Sequence, residues 1–252
     1  MPELDMSSPE KETVLLAPAK VTMSLRVTGT RSDGYHLIDA EMISVNLYDT
    51  LAVGRGDSLD VVETNTGLAV PATEGNLVHR ALLLCGRTAA IRLEKSIPAG
   101  AGLGGGSADA AAILRWAGFT DVAAAATIGA DVAFCLVGGR ARVRGIGEAV
   151  ESLGHRTQTL TLLTPPFGVS TPAVYARWDQ LGGPVGDHCN DLEPAAIDLM
   201  PELAYWRDRL HELTGQRPYL AGSGGTWFVE GAHEGLTIDG VATRVVDAVP
   251  GT

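Results

Sequence analysis

The 252-residue chain has only three cysteines, few aromatic residues and no apolar run long enough to cross a membrane. Cys85, Cys135 and Cys189 are far apart and odd in number, which argues against a disulfide framework and against a cysteine-based zinc site. The first dozen residues are polar and acidic and lack the apolar core of a signal peptide. We therefore expect a disordered lead over 1–12, no membrane span and a cytoplasmic protein.

Basic residues are also scarce. Lys and Arg number 19 against 30 Asp and Glu, so the formal net charge is −11. A general nucleic-acid binder needs the opposite balance, and no basic cluster stands out. An anionic ligand must therefore be held by local dipoles and a few chosen cations.

Glycine, by contrast, is concentrated in the stretch Pro98–Ala111, which reads PAGAGLGGGSADAA. An alanine-rich segment that favours a helix follows these glycines and continues to Trp116. A glycine loop that opens onto a helix N-terminus gathers unpaired N–H groups at the positive end of the helix dipole. The stretch therefore predicts a phosphate site, whereas a flexible linker would be polar and would not run into a helix.

The neighbouring residues exclude the commonest type of phosphate loop. The nucleotide P-loop requires a lysine between its last glycine and the following Ser or Thr, whereas here Gly106 stands directly before Ser107. Gly100, Gly102 and Gly105 match the dinucleotide spacing G-x-G-x-x-G, but that pattern also needs an acidic residue roughly 20 positions on, at a strand end. Asp121 is near that distance but opens a segment that reads as a helix. A nicotinamide-dependent oxidoreductase is therefore the disfavoured alternative.

Periodicity predicts several elements around this loop. Residues Lys20–Val27 alternate as a half-buried strand, with Lys20, Thr22 and Ser24 on one face, and Pro18 is expected to interrupt the strand before it. Residues 76–85 and 202–213 have helical spacing, and a last helix is expected over 241–249. The chain turns polar around 153–157, which predicts domains over 13–154 and 155–252.

Three stretches in order, APAKVTMSL at 17–25, the glycine loop at 98–111 and LAGSGGTWF at 220–228, resemble the galactokinase, homoserine kinase, mevalonate kinase and phosphomevalonate kinase (GHMP) superfamily. The resemblance implies an α+β, two-lobed fold. Each lobe would be a mostly antiparallel sheet backed by helices, with the active site in the cleft between them.

Further pieces resemble the branch that uses ATP to phosphorylate the tertiary 2-hydroxyl of a cytidine-diphosphate-linked methylerythritol in the non-mevalonate isoprenoid route. They are Pro18-Ala19-Lys20, Asp33-Gly34-Tyr35-His36, Gly129-Ala130-Asp131-Val132, Gly145-Ile146-Gly147-Glu148, Thr171-Pro172 and Asn190-Asp191-Leu192-Glu193. The resemblance implies ATP and Mg²⁺ as cofactors and small-molecule substrates. It also implies no nucleic-acid or membrane partner, and a monomer or homodimer.

The resemblance also assigns site residues. Lys20 and Asp131 are the implied catalytic pair. From the residues alone, Lys20 is also compatible with a solvated lysine on the exposed face of the strand, and Asp131 with a helix cap. The implied ATP contacts are Pro98, Ala99, Gly100, Ala101, Gly102, Leu103, Gly104, Gly105, Gly106, Ser107 and Ala108, with Asn76 and Lys95 on the adenosine side. The implied substrate contacts are Thr22, Tyr35, His36, Thr171, Tyr175, Gly222, Ser223 and Gly224, with the base held between aromatic rings. Ser107 is the candidate Mg²⁺ ligand.

The chain departs from the family pattern at Thr22, where the family usually has Asn, and in segments that are shorter than the family norm (81–90, 114–128 and the region after Phe228). Two alternatives stay open on the same fold. One is a sister kinase that acts on homoserine or mevalonate, against which the Gly34-Tyr35-His36 piece argues. The other is a non-catalytic nucleotide-binding protein, against which the presence of Lys20 and Asp131 argues.

Overall fold

A computed structural model describes residues 12–63 and 75–251. The first part of the chain forms β1 (Thr13–Thr30), β2 (His36–Gly54), β3 (Ser58–Glu63), α1 (Leu77–Leu84), β4 (Ala90–Lys95), α2 (Gly105–Trp116), α3 (Val122–Ala126), α4 (Val132–Val137), β5 (Arg140–Gly145) and β6 (Ala149–Leu153). The second part forms β7 (Thr159–Leu163), α5 (Thr171–Gln180), α6 (Glu193–Leu199), α7 (Glu202–Thr214), β8 (Tyr219–Leu220), β9 (Trp227–Glu230), β10 (Thr237–Ile238), β11 (Val241–Ala242) and β12 (Arg244–Asp247). None of the helices in these described ranges has the length and hydropathy needed to span a bilayer.

The strands form two main sheets. In the first, the order is β3-β4-β2-β5-β6, and β1 pairs with β2 along its whole length. In the second, the order is β12-β7-β9-β8. All pairings in both sheets are antiparallel except β3 with β4. Helices pack against both sheets, so the α+β fold implied by the resemblance is confirmed.

The apolar core is shared between the two sheets. One buried cluster contains Leu25 and Leu51 of the first sheet together with Leu163 and Trp227 of the second. A second cluster joins Val21, Ile43 and Leu103 to Leu160 and Phe228. The expected domain boundary near residue 154 lies between β6 and β7 and stays a prediction.

Strand β1 differs from the expectation in two places. Pro18 does not interrupt it, because the pairing with β2 shifts register between Pro18 and Ala19, and a bulge tolerates a residue without an N–H group. A second shift lies between Thr22 and Ser24. The expected alternation is therefore broken after Thr22, and the Ser24 hydroxyl accepts from the Glu41 amide instead.

The expected helix over 241–249 is wrong. The chain there forms the short strands β11 and β12, and β12 pairs with β7 at the edge of the second sheet. Val245 and Val246 lie in β12, where β-branched side chains fit a pleated surface better than a helix. Pairing with β7, which the periodicity of the sequence does not reveal, makes this segment a strand.

Candidate active site

A cleft of about 1220 Å³ is bounded by β1, the glycine loop, the start of α4, α5 and the turn after β8. Small-molecule pockets usually measure about 300–1,000 Å³, so this cleft has room for two ligands side by side. It contains most of the residues that the sequence analysis singled out, including Lys20, Thr22, Asp131 and Tyr175.

Lys20 and Asp131 meet in this cleft. The Lys20 Nζ atom lies 3.2 Å from Asp131 Oδ2 and donates to Thr22 Oγ1 at 3.1 Å. The Lys20 side chain is only 6 % exposed, whereas that of Asp131 is 32 % exposed. Lys20 is therefore not a solvated lysine. Asp131 occupies the N-cap position of α4 but makes no side-chain capping hydrogen bond, so its carboxylate faces the lysine and the cleft.

The glycine loop runs directly into α2, which begins at Gly105, so the last glycines of the loop form the first turn of the helix. Gly105, Gly106 and Ser107 line the cleft, and their first-turn N–H groups have no acceptor within the helix. Gly104 has φ +69°, and a Cβ added there would lie 2.8 Å from Lys20 Cγ. The loop thus packs directly on the lysine side chain, and only glycine fits at that point.

Two backbone contacts join the glycine loop to the second half of the chain. A Cβ added at Gly102 would lie 2.6 Å from Ala221 O and 2.7 Å from Gly224 O. The Val169 amide donates to Gly100 O at 3.2 Å. The glycine loop is therefore held in place by residues from both parts of the chain.

At the other end of the cleft lies an aromatic group. The His36 ring stacks on the Tyr175 ring with centroids 4.7 Å apart, and His36 Nε2 lies 2.8 Å from Asp179 Oδ1. Burial, helped by the negative charge of Asp131, raises the pKa of Tyr175, so its phenol is neutral. Tyr35 is 61 % exposed at the mouth of the cleft.

Thr171 and Ser223 close the cleft wall nearby, with their hydroxyl oxygens 2.6 Å apart. Gly222 lies next to Ser223 in the same wall. Gly224 points away from the cleft, because a Cβ added there would meet Leu220, Ala196 and Val169. Gly224 is therefore a packing residue behind the wall, and its expected contact with substrate does not follow from its position.

Two expected ATP contacts also lie outside the cleft lining. Asn76 Oδ1 accepts from the Val78 amide at 3.0 Å and caps α1. Ala108 is completely buried beneath the first turn of α2. Neither residue is among the described residues that line the cleft.

Lys95 is placed under the loop and bonded to two acids. Its ammonium donates to Asp49 and, at 2.6 Å, to Asp109 Oδ2. Asp49 Oδ1 also accepts from the amides of Ser96 at 2.6 Å and Ile97 at 2.8 Å, where the chain enters the loop. Lys95 lines the cleft, but its charge is compensated by the two carboxylates, which argues for a supporting role beside the expected contact on the adenosine side of ATP.

The pKa values of Asp109 and Lys95 are both shifted in this cluster. Burial, together with the charge of Asp49, raises the pKa of Asp109 to about 7, although Lys95 opposes the shift. Burial alone would lower the pKa of Lys95, but the two carboxylates outweigh it and raise that pKa. Asp109 Oδ1 is buried and has no hydrogen-bond partner among the described residues. The ammonium therefore stays charged, and Asp109 is the group that takes up a proton first.

Sequence reasoning gave no role to four supporting residues: Asp49, Asp109, Asp179 and Asn190, the last of which it noted only as part of a family motif. Asp109 carried a usable signal, because it is the one acid in an alanine-rich helix whose neighbours are all apolar. Asp49 and Asp179 lie far in sequence from the groups that they contact, so no local pattern marks them.

A ready-made metal cage is absent from the described residues, which contain no group of three or more His, Cys, Asp or Glu side chains placed to hold a metal ion. Ser107, the third residue of α2, lines the cleft and presents a hydroxyl oxygen, a ligand type that Mg²⁺ accepts.

Comparisons with known proteins agree with this geometry. Residues 76–139 match the family model described as GHMP kinases N terminal domain. The chain is 40 % identical to 4-diphosphocytidyl-2-C-methyl-D-erythritol kinase of Paracoccus denitrificans, with 84 % of each chain covered. It is 38 % identical to the protein of the same name from Pelotomaculum thermopropionicum, with 92 % of each covered.

Solved structures point the same way. The fold matches a crystal structure of 4-(cytidine 5'-diphospho)-2C-methyl-D-erythritol kinase with a TM-score of 0.73 at 31 % identity, covering 94 % of this chain and 99 % of the other. It also matches L. major mevalonate kinase with a TM-score of 0.59 at 14 % identity, with 91 % of each chain covered, which shows the fold alone. The chain therefore belongs to the 4-diphosphocytidyl-2-C-methyl-D-erythritol kinase family, within the GHMP kinases.

Proposed function

We propose that the protein transfers the γ-phosphoryl group of ATP to the 2-hydroxyl of 4-(cytidine 5'-diphospho)-2-C-methyl-D-erythritol, a step of the non-mevalonate isoprenoid pathway. The observation that carries the proposal is the 3.2 Å contact between Lys20 and Asp131, beside a glycine loop that ends in a helix N-terminus. The names of its relatives supply the substrate.

In this proposal the residues Pro98–Ser107 bind the ATP phosphates. Phosphoryl transfer depends on position and on charge neutralisation more than on covalent chemistry. The amides of Gly105, Gly106 and Ser107 and the buried ammonium of Lys20 supply positive potential at one end of the cleft. This local field is needed because the chain as a whole carries a net charge of −11.

Asp131 orients the acceptor hydroxyl and accepts its proton. The carboxylate is partly exposed to the cleft and lies beside Lys20, so a hydroxyl can approach both groups together. In a loose transition state the proton leaves late, so positioning by Asp131 matters more than its strength as a base. Thr22, which bonds Lys20, fixes the direction of the ammonium.

The aromatic end of the cleft binds the cytosine base. Tyr35, His36 and Tyr175 lie together there, and stacking of a base on aromatic rings contributes about 1–3 kcal/mol per base. His36 contacts Tyr175 directly in this structure, so a base entering between Tyr35 and Tyr175 has to move the His36 ring. Thr171, Gly222 and Ser223 line the space between the base and the phosphates.

Mg²⁺ would bind mainly to the ATP phosphates, because Mg²⁺ in such enzymes is usually held by substrate oxygens and one or two protein ligands. The hydroxyl of Ser107 fits as the protein ligand. Bound there, the ion would neutralise negative charge on the phosphates. A cytoplasmic location, a monomer or homodimer, and two domains meeting near residue 154 complete the proposal.

A turnover assay tests the function. The protein is incubated with ATP, Mg²⁺ and the cytidine-diphosphate alcohol, homoserine or mevalonate, and both ADP release and the phosphorylated product are measured. We expect kcat/KM for the cytidine-diphosphate alcohol to exceed that for the other alcohols by at least about 100-fold. Faster turnover of homoserine or mevalonate would indicate a sister kinase, and ATP binding without turnover of any alcohol would indicate a nucleotide-binding relative.

A further inference from the structure

The segment 189–193, which contains the sequence Asn190-Asp191-Leu192-Glu193, lies beside strand β1 and outside the cleft lining. Its backbone extends the sheet edge: the Leu25 amide donates to Cys189 O at 2.7 Å, and the Asp191 amide donates to Leu25 O at 3.0 Å. Leu25 is five residues after Lys20 on the same strand. The segment is therefore attached to the strand that carries the catalytic lysine.

Asn190 connects this attachment to the turn after β8. Its side chain is buried, and its Nδ2 atom donates to both Leu220 O at 2.9 Å and Gly222 O at 2.7 Å. Its Oδ1 atom accepts from the Leu192 amide at 3.0 Å. All the hydrogen-bonding groups of the carboxamide end are used, and two of the bonds go to the turn that carries Gly222.

Gly222 lies beside the proposed catalytic groups, separated from them by about the space of one Cβ atom. A Cβ added to it would lie 3.4 Å from Thr22 Oγ1 and 3.5 Å from Lys20 Nζ. The turn therefore covers the side chain of Lys20 on one side, while Asp131 contacts it on another. A displacement of Gly222 would open space beside the ammonium.

The backbone of the segment is held in an unfavourable conformation. Cys189 has φ +60°, one of two non-glycine residues with positive φ among those described. Such a conformation costs about 1–2 kcal/mol and persists only where surrounding contacts fix it. Asp191 supplies such contacts, because it accepts from Arg26 at 2.5 Å and from the Val27 amide at 2.9 Å.

We propose that Asn190 is a positioning residue for phosphoryl transfer: it holds the Gly222 turn against Lys20 and so fixes the ammonium where the phosphoryl group is transferred. Asn190 touches no substrate and acts through Gly222. The proposal rests on the proposed kinase function for its kinetic consequence, but the restraint of the turn is independent of which alcohol is phosphorylated.

The variant Asn190→Asp tests it, since it keeps the shape but replaces two N–H donors by an oxygen that faces two carbonyls. We expect kcat to fall about 10- to 100-fold, because small displacements of a positioned group are costly to phosphoryl transfer. The Kd of ATP should rise by a smaller factor than kcat falls, because Asn190 reaches the loop at 98–107 only indirectly, through the turn that packs against Gly102. Asn190→Ser, which leaves room for a water, serves if the first variant does not fold, and a smaller loss in the same parameter is expected.

Asp191→Asn is the matched control. It alters the adjacent residue of the same segment and weakens the Arg26 pair, but it does not touch the Gly222 turn. Its melting temperature should fall, while its kcat should stay within about threefold of the original. Equal kcat losses in the Asn190 and Asp191 variants, in proportion to lost stability, would overturn the proposal.

Hydrogen exchange separates this proposal from the function proposal. Exchange of the backbone amides in 219–226 should accelerate at least about tenfold in Asn190→Asp and by clearly less in Asp191→Asn, which leaves both Asn190 Nδ2 bonds in place. Unchanged exchange in Asn190→Asp would refute the restraint, whatever the substrate. Accelerated exchange, in a protein whose unmodified form does not phosphorylate the cytidine-diphosphate alcohol, would keep the restraint and reject the function.

Discussion

Lys20 Nζ and Asp131 Oδ2 lie 3.2 Å apart, although one residue is on the long strand β1 and the other at the start of a short helix. The lysine is buried by the glycine loop, which removes its water, and the carboxylate compensates the charge. The same contact leaves the carboxylate exposed on the side of the cleft. The pair therefore serves the stability of the loop and the proposed chemistry at once.

Asp131→Asn should abolish most turnover while leaving ATP binding nearly intact. The amide can still contact a hydroxyl but cannot accept its proton, so we expect kcat to fall about 10²- to 10⁴-fold. The Kd of ATP, measured by calorimetry, should change less than about tenfold. Asp121→Asn is the control, because Asp121 caps α3 and Asn caps equally well. Near-normal turnover of Asp131→Asn would reject the assignment of Asp131.

Gly104→Ala should inactivate the protein through a collision with Lys20. The added Cβ would lie 2.8 Å from Lys20 Cγ and 3.1 Å from Lys20 Cε, so either the lysine or the loop has to move. We expect kcat/KM to fall more than about 100-fold. Gly118→Ala is matched, because Gly118 has φ +72° and its Cβ would meet no atom within 4 Å.

Both alanine variants force a left-handed conformation that costs about 1–2 kcal/mol, which urea unfolding should register in each. Only Gly104→Ala should lose activity. If Gly118→Ala lost as much turnover, backbone strain and not contact with Lys20 would be the cause.

Asp109→Asn should make stability less dependent on pH. The pKa of Asp109 is about 7 in the folded protein, above its usual value of 3.8, so the folded state binds a proton that the unfolded state has released between these values. Stability from this group is complete below pH 4 and is lost as the pH rises through 7. Asparagine is neutral throughout and can still accept from Lys95.

Urea unfolding at several pH values measures this effect. We expect Asp109→Asn to exceed the unmodified protein in stability at pH 8, with a smaller difference at pH 4. The opposite order at pH 8 would show that the ionised carboxylate stabilises the Lys95 cluster, contrary to the shift described above.

Tyr175→Ala should weaken binding of the cytidine-diphosphate alcohol and leave ATP binding unchanged. Loss of one stacking surface costs about 1–3 kcal/mol, which corresponds to a KM increase of roughly 5- to 150-fold. Tyr175→Phe keeps the ring and removes only the hydroxyl, so its KM should stay close to normal. Steady-state kinetics with each substrate varied separately would measure both. An equal rise in the KM of ATP would contradict the assignment of Tyr175 to the cytosine pocket.

Local pattern predicted those parts of the fold that depend on neighbouring residues. The strand at Lys20–Val27 and the helix within residues 76–85 were predicted correctly. The strand β12 was not, because its conformation depends on pairing with β7, far away in sequence. Pro18 was misjudged for a similar reason: whether a proline ends a strand depends on whether the partner strand can bulge.

For the site, the glycine loop predicted a phosphate site from its own residues, whereas the pairing of Lys20 with Asp131 came from resemblance. Lys95 shows the limit of both routes. The resemblance placed Lys95 on the adenosine side of the ATP site, but its ammonium forms ion pairs with Asp49 and Asp109. Burial and ion pairing are set by tertiary contacts, so the sequence could not separate a ligand cation from a supporting one.

The apolar layer that Val21 and Ile43 share with Leu160 and Phe228 has a consequence for how the protein responds to its ligands. Because Leu103 of the glycine loop belongs to that layer, a nucleotide bound at the loop should stabilise both halves of the chain against unfolding. Unfolding of either half would expose this layer next to the glycine loop. The thermal stability of the chain and the geometry of the proposed phosphate site therefore depend on the same apolar contacts.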